Sequence, residues 1–112
     1  MNLKLMIPVA LVSTIACAAP NISGEQAHAL VKQGAFLLDV RTPEEFAEGH
    51  IDGATNVPVQ ELEAKLASLN LKKDRDVVVY CRSGKRSARA SEILKAAGFA
   101  KVFDLGGMSN WK

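Results

Sequence analysis

Apolar positions along this chain follow two rhythms. Short apolar or β-branched runs stand at residues 35–38, 54–57, 77–80 and 101–103. Runs of this length between turn residues predict strands. Val77-Val78-Val79-Tyr80, apolar at every position, predicts a strand buried on both faces. The second rhythm is helical. Ala27, Leu30 and Val31 form one stripe, Val59, Leu62, Leu66 and Leu69 another, and Ala90, Ile93, Leu94 and Ala97 a third. Ser23 with Gln26, and Thr42 with Glu45, have capping-box spacing, and Pro43 sits at the first helical position, where its missing N–H costs nothing. Gly34, Gly49 and Gly98 predict helix ends. Glu61 and Lys65 are a charge pair four residues apart. Lys72 to Asp76 and Asp104 to Met108 read as turns.

Strands that alternate with helices, with continuously apolar strands at the centre, predict an α/β domain. Its sheet should be parallel or mostly parallel, with helices on both faces. Ligands of such sheets bind beyond the carboxyl ends of the strands. Cys81 follows one strand there, and Asp39 and Arg41 lie at the end of another. The 112 residues suffice for one domain, without repeats or an internal linker.

Residues 1–18 follow a different pattern. Met1-Asn2-Leu3-Lys4 carries one cation, and Leu5 to Ala16 is apolar apart from Ser13 and Thr14. Ala16-Cys17-Ala18 then puts small residues at the positions a signal peptidase reads. A signal peptide of residues 1–18 is expected, cleaved after Ala18 because Pro20 would follow the next bond. That leaves a mature domain of 19–112 in the periplasm, without stable membrane association. A run of about a dozen apolar residues is short for a span of roughly 30 Å. An uncleaved anchor, or lipid on Cys17, is the alternative.

Composition is that of a globular protein, 48% hydrophobic, with a formal net charge of +2. The overall balance calls for no polyanionic partner, and the few aromatics speak against a nucleic-acid surface. The charge is concentrated, however. Arg82, Lys85, Arg86 and Arg89 follow Cys81 with no acid among them. A tight turn from strand to helix aims backbone N–H groups at one point, here the sulfur of Cys81, and these dipoles and the cations favour the thiolate. Cys17 leaves with the signal, so the mature domain keeps one cysteine and can form no internal disulfide. Cys81 is therefore the candidate nucleophile, with Arg82, Ser83, Gly84, Lys85, Arg86 and Ser87 as its loop. Gly84 lets the backbone approach closely, and Ser83 and Ser87 read as helix caps. Arg86 reads as a loop staple, through hydrogen bonds to carbonyls, and as part of the local charge. Asp39 is expected to order the loops at the sheet edge, with Arg41 as possible support. His50 reads as a packing residue and Trp111 as core or rim. His28, His50 and one cysteine lack the spacing of a metal site.

In order along the chain stand Leu38-Asp39-Val40-Arg41-Thr42-Pro43-Glu44-Glu45-Phe46, Gly49-His50-Ile51-Asp52-Gly53-Ala54, Cys81-Arg82-Ser83-Gly84-Lys85-Arg86-Ser87, Gly98-Phe99, and Leu105-Gly106-Gly107 with Trp111. Together these blocks resemble the rhodanese domain over about residues 22–111. The chain is similar to single-domain periplasmic thiosulfate sulfurtransferases, although it ends one residue after Trp111, where such chains commonly add a helical turn. The resemblance implies a five-stranded, mostly parallel sheet and a cysteine that carries a persulfide, with no cofactor. It further implies thiosulfate as a small anionic donor and cyanide or a thiol, a protein thiol included, as acceptor in a ping-pong scheme. Two other functions compete. A phosphatase or arsenate reductase needs a wider C-x5-R loop, whereas Arg86 stands in C-x4-R spacing. A non-enzymatic binding module would not need the intact cysteine.

N-terminal sequencing of exported protein should read Ala19-Pro20-Asn21. A start at lipid-modified Cys17, or an intact Met1, would place the protein on a membrane instead.

Overall fold

The computed structural model describes residues 21–112. The expected signal peptide, Cys17 and the cleavage point lie outside the described residues. Helix α1 (Gly24–Lys32) leads to strand β1 (Phe36–Asp39), helix α2 (Pro43–Glu48) and strand β2 (Thr55–Asn56). Helix α3 (Val59–Lys65) and a 3-10 turn (Ala67–Leu69) lead to strand β3 (Val77–Cys81), helix α4 (Lys85–Ala96) and strand β4 (Val102–Gly107), and a last 3-10 turn covers Met108–Trp111. No helix among the described residues is long and apolar enough to cross a membrane.

The local chemistry sets these boundaries. Both capping boxes form: Ser23 accepts from the Gln26 N–H while the Gln26 side chain accepts from Ser23, and Thr42 and Glu45 do the same. Gly49 closes α2. Gly34 and Gly98, at φ 106° and 101°, turn the chain out of α1 and α4 in the left-handed region that a Cβ disfavours. The helix expected from Val59 to Leu69 is broken into α3 and the 3-10 turn, which ends at Asn70 in a left-handed conformation.

The strands lie in the order β2-β1-β3-β4, all parallel. Among the described residues the sheet thus has four strands rather than the five that the resemblance implied. Where a fifth would lie, Asn21 makes a single parallel bridge to Asp104, and the Ile22 N–H donates to the Asp104 carbonyl at 3.0 Å. Among the described residues only Asn21 and Ile22 precede the Ser23 cap. Strand β4, by contrast, runs on through the residues expected to turn. Asp104 takes the Gly106 N–H at 2.8 Å, and the ladder resumes past a register shift with Gly106 beside Tyr80 and Gly107 beside Cys81. Glycine allows this: a Cβ on Gly107 would stand 2.6 Å from the Arg82 carbonyl oxygen.

All five residues of β3 are buried, and their period-2 alternation serves two cores. Val77, Val79 and Cys81 face a cluster with Leu38, Leu62, Ala90 and Leu94, under α3 and α4. Val78 and Tyr80 face the other, with Ala27, Leu37, Ile51 and Leu105, under α1. Trp111 is half-buried on this second side and stacks on His28 at 3.7 Å between ring centroids.

Gly24 sits where α1 meets the C-terminal turn, and a Cβ there would collide with the Asn110 carbonyl oxygen. Alanine is ordinarily better than glycine in a helix by about 1 kcal/mol. Here the sign should reverse, with Gly24→Ala destabilising by about 1–3 kcal/mol as the two backbones are forced apart. Urea unfolding of the variant measures it; a gain in stability would mean that the turn yields freely.

Candidate active site

The sheet order puts β1 beside β3, while the chain leaves β1 toward β2 and leaves β3 toward β4. The connections part above the sheet and leave a crevice at the carboxyl ends of the two central strands. Cys81 and its loop, Asp39 and Arg41 lie around it.

Cys81 ends β3 and is fully buried. It is the free cysteine of the described residues. The Gly84 N–H donates to its Sγ at 2.9 Å. Gly84, at φ 103°, is the N-cap of α4, without a side-chain cap. Ser83 and Ser87 therefore do not cap this helix as expected: a cap must precede the first helical turn, and that place belongs to Gly84. Ser83 is exposed, and buried Ser87 donates its hydroxyl back to the Gly84 carbonyl at 3.1 Å. Ser91 donates to the Ser87 carbonyl in turn, which ties the start of the helix to its second turn.

The cations separate into two groups. Arg86 turns its guanidinium to Glu45 on α2 and makes two parallel hydrogen bonds, at 2.8 and 3.1 Å. Its partner is thus a carboxylate rather than the carbonyls expected of a loop staple, because α2 presents a charged acceptor at the same rim. Glu45 also accepts from the Thr42 N–H and hydroxyl, so its capping box and its ion pair share one side chain. The Arg86 fork, and next the Thr42 N–H, hold this carboxyl down to about 2, and the same pairing raises Arg86 further. Arg82 is exposed, with a guanidinium nitrogen 3.7 Å from Glu45. Lys85 and Arg89 are exposed and have no acidic partner within 4 Å among the described residues.

On the β1 side, Asp39 and Arg41 are both buried and form a bidentate pair, with Nε 3.1 Å from both carboxylate oxygens and Nη2 2.8 Å from one. Asp39 also accepts the Arg41 backbone N–H, while Arg41 donates to the Gly49 carbonyl at 2.7 Å. Its hydrogen bonds to Asp39 are the main reason that the guanidinium is raised above its ordinary value. Below the pair, the Tyr80 hydroxyl accepts from the Ile51 N–H at 3.1 Å; burial first, and Asp39 second, push its phenol up. These contacts fix the 49–53 loop to β1 and β3. His50 lies in that loop, stacked on Phe46 at 3.6 Å and bonded through Nδ1 to the Phe46 carbonyl, an arrangement of packing. Among the described residues no group of three or more His, Cys, Asp or Glu side chains gathers to hold a metal ion.

Sequence reasoning read Glu45 only as a helix-cap residue, since nothing at a separation of 41 residues marks it as the partner of Arg86. It also took Gly106 and Gly107 for a turn rather than the backbone that runs beside the cysteine.

The model of the rhodanese-like domain family matches residues 23–112. The chain belongs to the rhodanese-like domain family. A relative in Escherichia coli (strain K12), thiosulfate sulfurtransferase PspE, is 37% identical over 73 residues, which cover 65% of this chain and 70% of that one. The chloroplastic thiosulfate sulfurtransferase 16 of Arabidopsis thaliana is 40% identical over 102 residues, 81% of this chain and 85% of its own. Among solved structures, the human single-domain sulfurtransferase TSTD1 superposes with a TM-score of 0.73 at 33% identity, covering 83% of this chain and 95% of that one. In this rhodanese-like domain four of the blocks noted in the sequence meet at the crevice, namely the end of β1, the 49–53 loop, the Cys81 loop and the glycines of β4, while Gly98-Phe99 caps the far end of α4 and Trp111 stacks on His28.

The Glu45–Arg86 pair should leave a mark on acid stability. The folded pKa of Glu45 lies below its ordinary 4.5, so its stabilisation is complete above that value and is lost as pH falls toward about 2. Glu45→Gln keeps the cap geometry but removes the titration. Between pH 5 and pH 2 the wild type should lose about 1–3 kcal/mol more than the variant, allowing for partial solvent screening. Parallel stability curves in urea titrations over that range would show that the pair contributes nothing.

Proposed function

We propose that the chain is a sulfurtransferase that moves the outer sulfur of thiosulfate to a thiophilic acceptor through a persulfide on Cys81. The observation that carries this reading is the position of Cys81: the last residue of the central strand, its sulfur on the Gly84 N–H, at the start of a helix whose first residues are cationic. The relatives named thiosulfate sulfurtransferase support the same substrate class.

In the first step the Cys81 thiolate attacks the outer sulfur of thiosulfate. A bond forms between Sγ and that sulfur, the S–S bond of thiosulfate breaks, and sulfite departs with the electron pair. In the second, cyanide or a thiolate attacks the terminal sulfur of the persulfide, and the cysteine sulfur leaves as thiolate. The cycle is ping-pong, needs no cofactor, and could serve a protein thiol as acceptor. Arg82 and Lys85, exposed at the rim, attract the dianionic donor. The loop N–H groups stabilise charge on the inner sulfur in the same way as an oxyanion hole. We place the reaction in the periplasm, on the ground of the expected signal peptide.

Intact mass reads the intermediate directly. Thiosulfate should add about 32 Da, one sulfur atom, to the protein, and cyanide should remove it. Cys81→Ser should gain nothing; the same gain in that variant would move the nucleophile elsewhere.

A further inference from the structure

We propose that Glu45 decides which anions the Cys81 loop accepts, by keeping the guanidinium of Arg86 occupied. The inference rests on the reading of this loop as an anion site and adds a specificity-determining residue to it.

A guanidinium binds a tetrahedral oxyanion best through two parallel N–H donors. Arg86, in the first turn of α4, already points its Nη1 and Nη2 donors at Glu45, at 2.8 and 3.1 Å. Glu45 is not a loose surface partner. Its side chain is only 18% exposed, and Thr42 holds one of its oxygens through the backbone N–H and the hydroxyl. An oxyanion that claimed the Nη1–Nη2 edge would have to break both bonds and leave a carboxylate facing it, and one that took the remaining Nε edge would meet a guanidinium whose charge Glu45 already offsets. What remains for an incoming anion is of another kind. Arg82, 75% exposed, and Lys85 are charges on mobile stems, which attract without imposing tetrahedral geometry. The backbone N–H at Gly84 is directed at the cysteine sulfur rather than at a ring of oxygens. The loop thus suits a donor that delivers one sulfur atom and disfavours a phosphate that needs its oxygens gripped. Glu45 acts through Arg86 and is a positioning residue.

The probe is inorganic phosphate, titrated at constant ionic strength into 15N-labelled protein and followed by NMR. Glu45→Gln, which preserves an acceptor for Thr42, should bind phosphate about fivefold more tightly than the wild type or better, as expected when a charged fork is released. Glu45→Gln with Arg86→Gln should return to within about twofold of the wild type, because the released fork is gone. Damage to the loop would weaken binding, so a gain that Arg86→Gln cancels is not a by-product of misfolding. An unchanged or weaker affinity in folded Glu45→Gln overturns the proposal, and so does a gain that survives in the double variant. If Glu45→Gln does not fold, the wild type decides. Its Arg86 Nε–H resonance should stay still at phosphate concentrations that shift loop amides, and an Arg86 resonance that moves with the same saturation overturns the proposal. Phosphate affinity is independent of sulfur transfer, so a wild type that gains no mass from thiosulfate would defeat the proposed reaction and leave these titrations to be read on their own terms.

Discussion

Helix α4 begins with the wrong charge. The N-terminus of a helix carries partial positive charge and favours anions, yet the first turn of α4 holds Lys85 and Arg86 and no acid, and Gly84 provides no side-chain cap. The structure answers with anionic or acceptor groups brought from elsewhere. Glu45 arrives from α2 to hold Arg86, and the sulfur of Cys81 takes the Gly84 N–H from the end of β3. For Glu45 to arrive, α2 must start where the Thr42 box puts it, with three residues between β1 and the helix and its cap directly after Arg41. For Cys81 to arrive, β3 must run its full length between β1 and β4, which the close approach of Gly107 permits. The unusual helix start thus ties the order of the strands to the chemistry at their ends.

The alternation of β3 divides labour between two neighbouring residues. Cys81 faces the α4 side, where the sulfur meets the loop. Tyr80 faces the other side, where its hydroxyl holds the Ile51 N–H and its ring lies 5.6 Å from the Arg41 guanidinium. One side carries the cysteine sulfur; the other fixes the frame around it. A buried ion pair such as Asp39–Arg41 gives little net stability over an apolar pair, but breaking it leaves a charge without a partner, which makes the 49–53 loop hard to displace.

Much of this was legible in the sequence because its causes are local. Capping boxes, glycine stops and apolar runs act within a few residues, so the helix starts at Ser23 and Thr42, the buried strand at Val77, and the placing of Cys81 at a strand end could be read directly. What escaped depends on tertiary contact. The Asp104-Leu105-Gly106-Gly107 segment has turn composition, but a neighbouring strand made it a strand, since glycine pairs wherever a partner comes close. Ser87 has the chemistry of a cap but lies one turn too late to be one. The fifth strand was a property of the resemblance, and in the described residues it is reduced to the Asn21 bridge. Glu45 carried a complete local explanation, and a complete explanation hides a second role.

The contact of Gly24 with Asn110 has a topological meaning. The first helix and the last turn touch backbone to backbone, Trp111 stacks on His28, and Asn21 pairs with β4. The two ends of the domain are therefore neighbours in space, on the α1 side of the sheet, while the Lys72–Arg75 turn that leads into β3 is exposed. Such a chain is suited to circular permutation: a short flexible linker can join residue 112 to residue 21, and new termini can open at Asp74 without cutting a helix, a strand or the crevice. For the same reason the whole domain can be set into a loop of a host protein, entering and leaving at one point, with Cys81 still at the end of its strand.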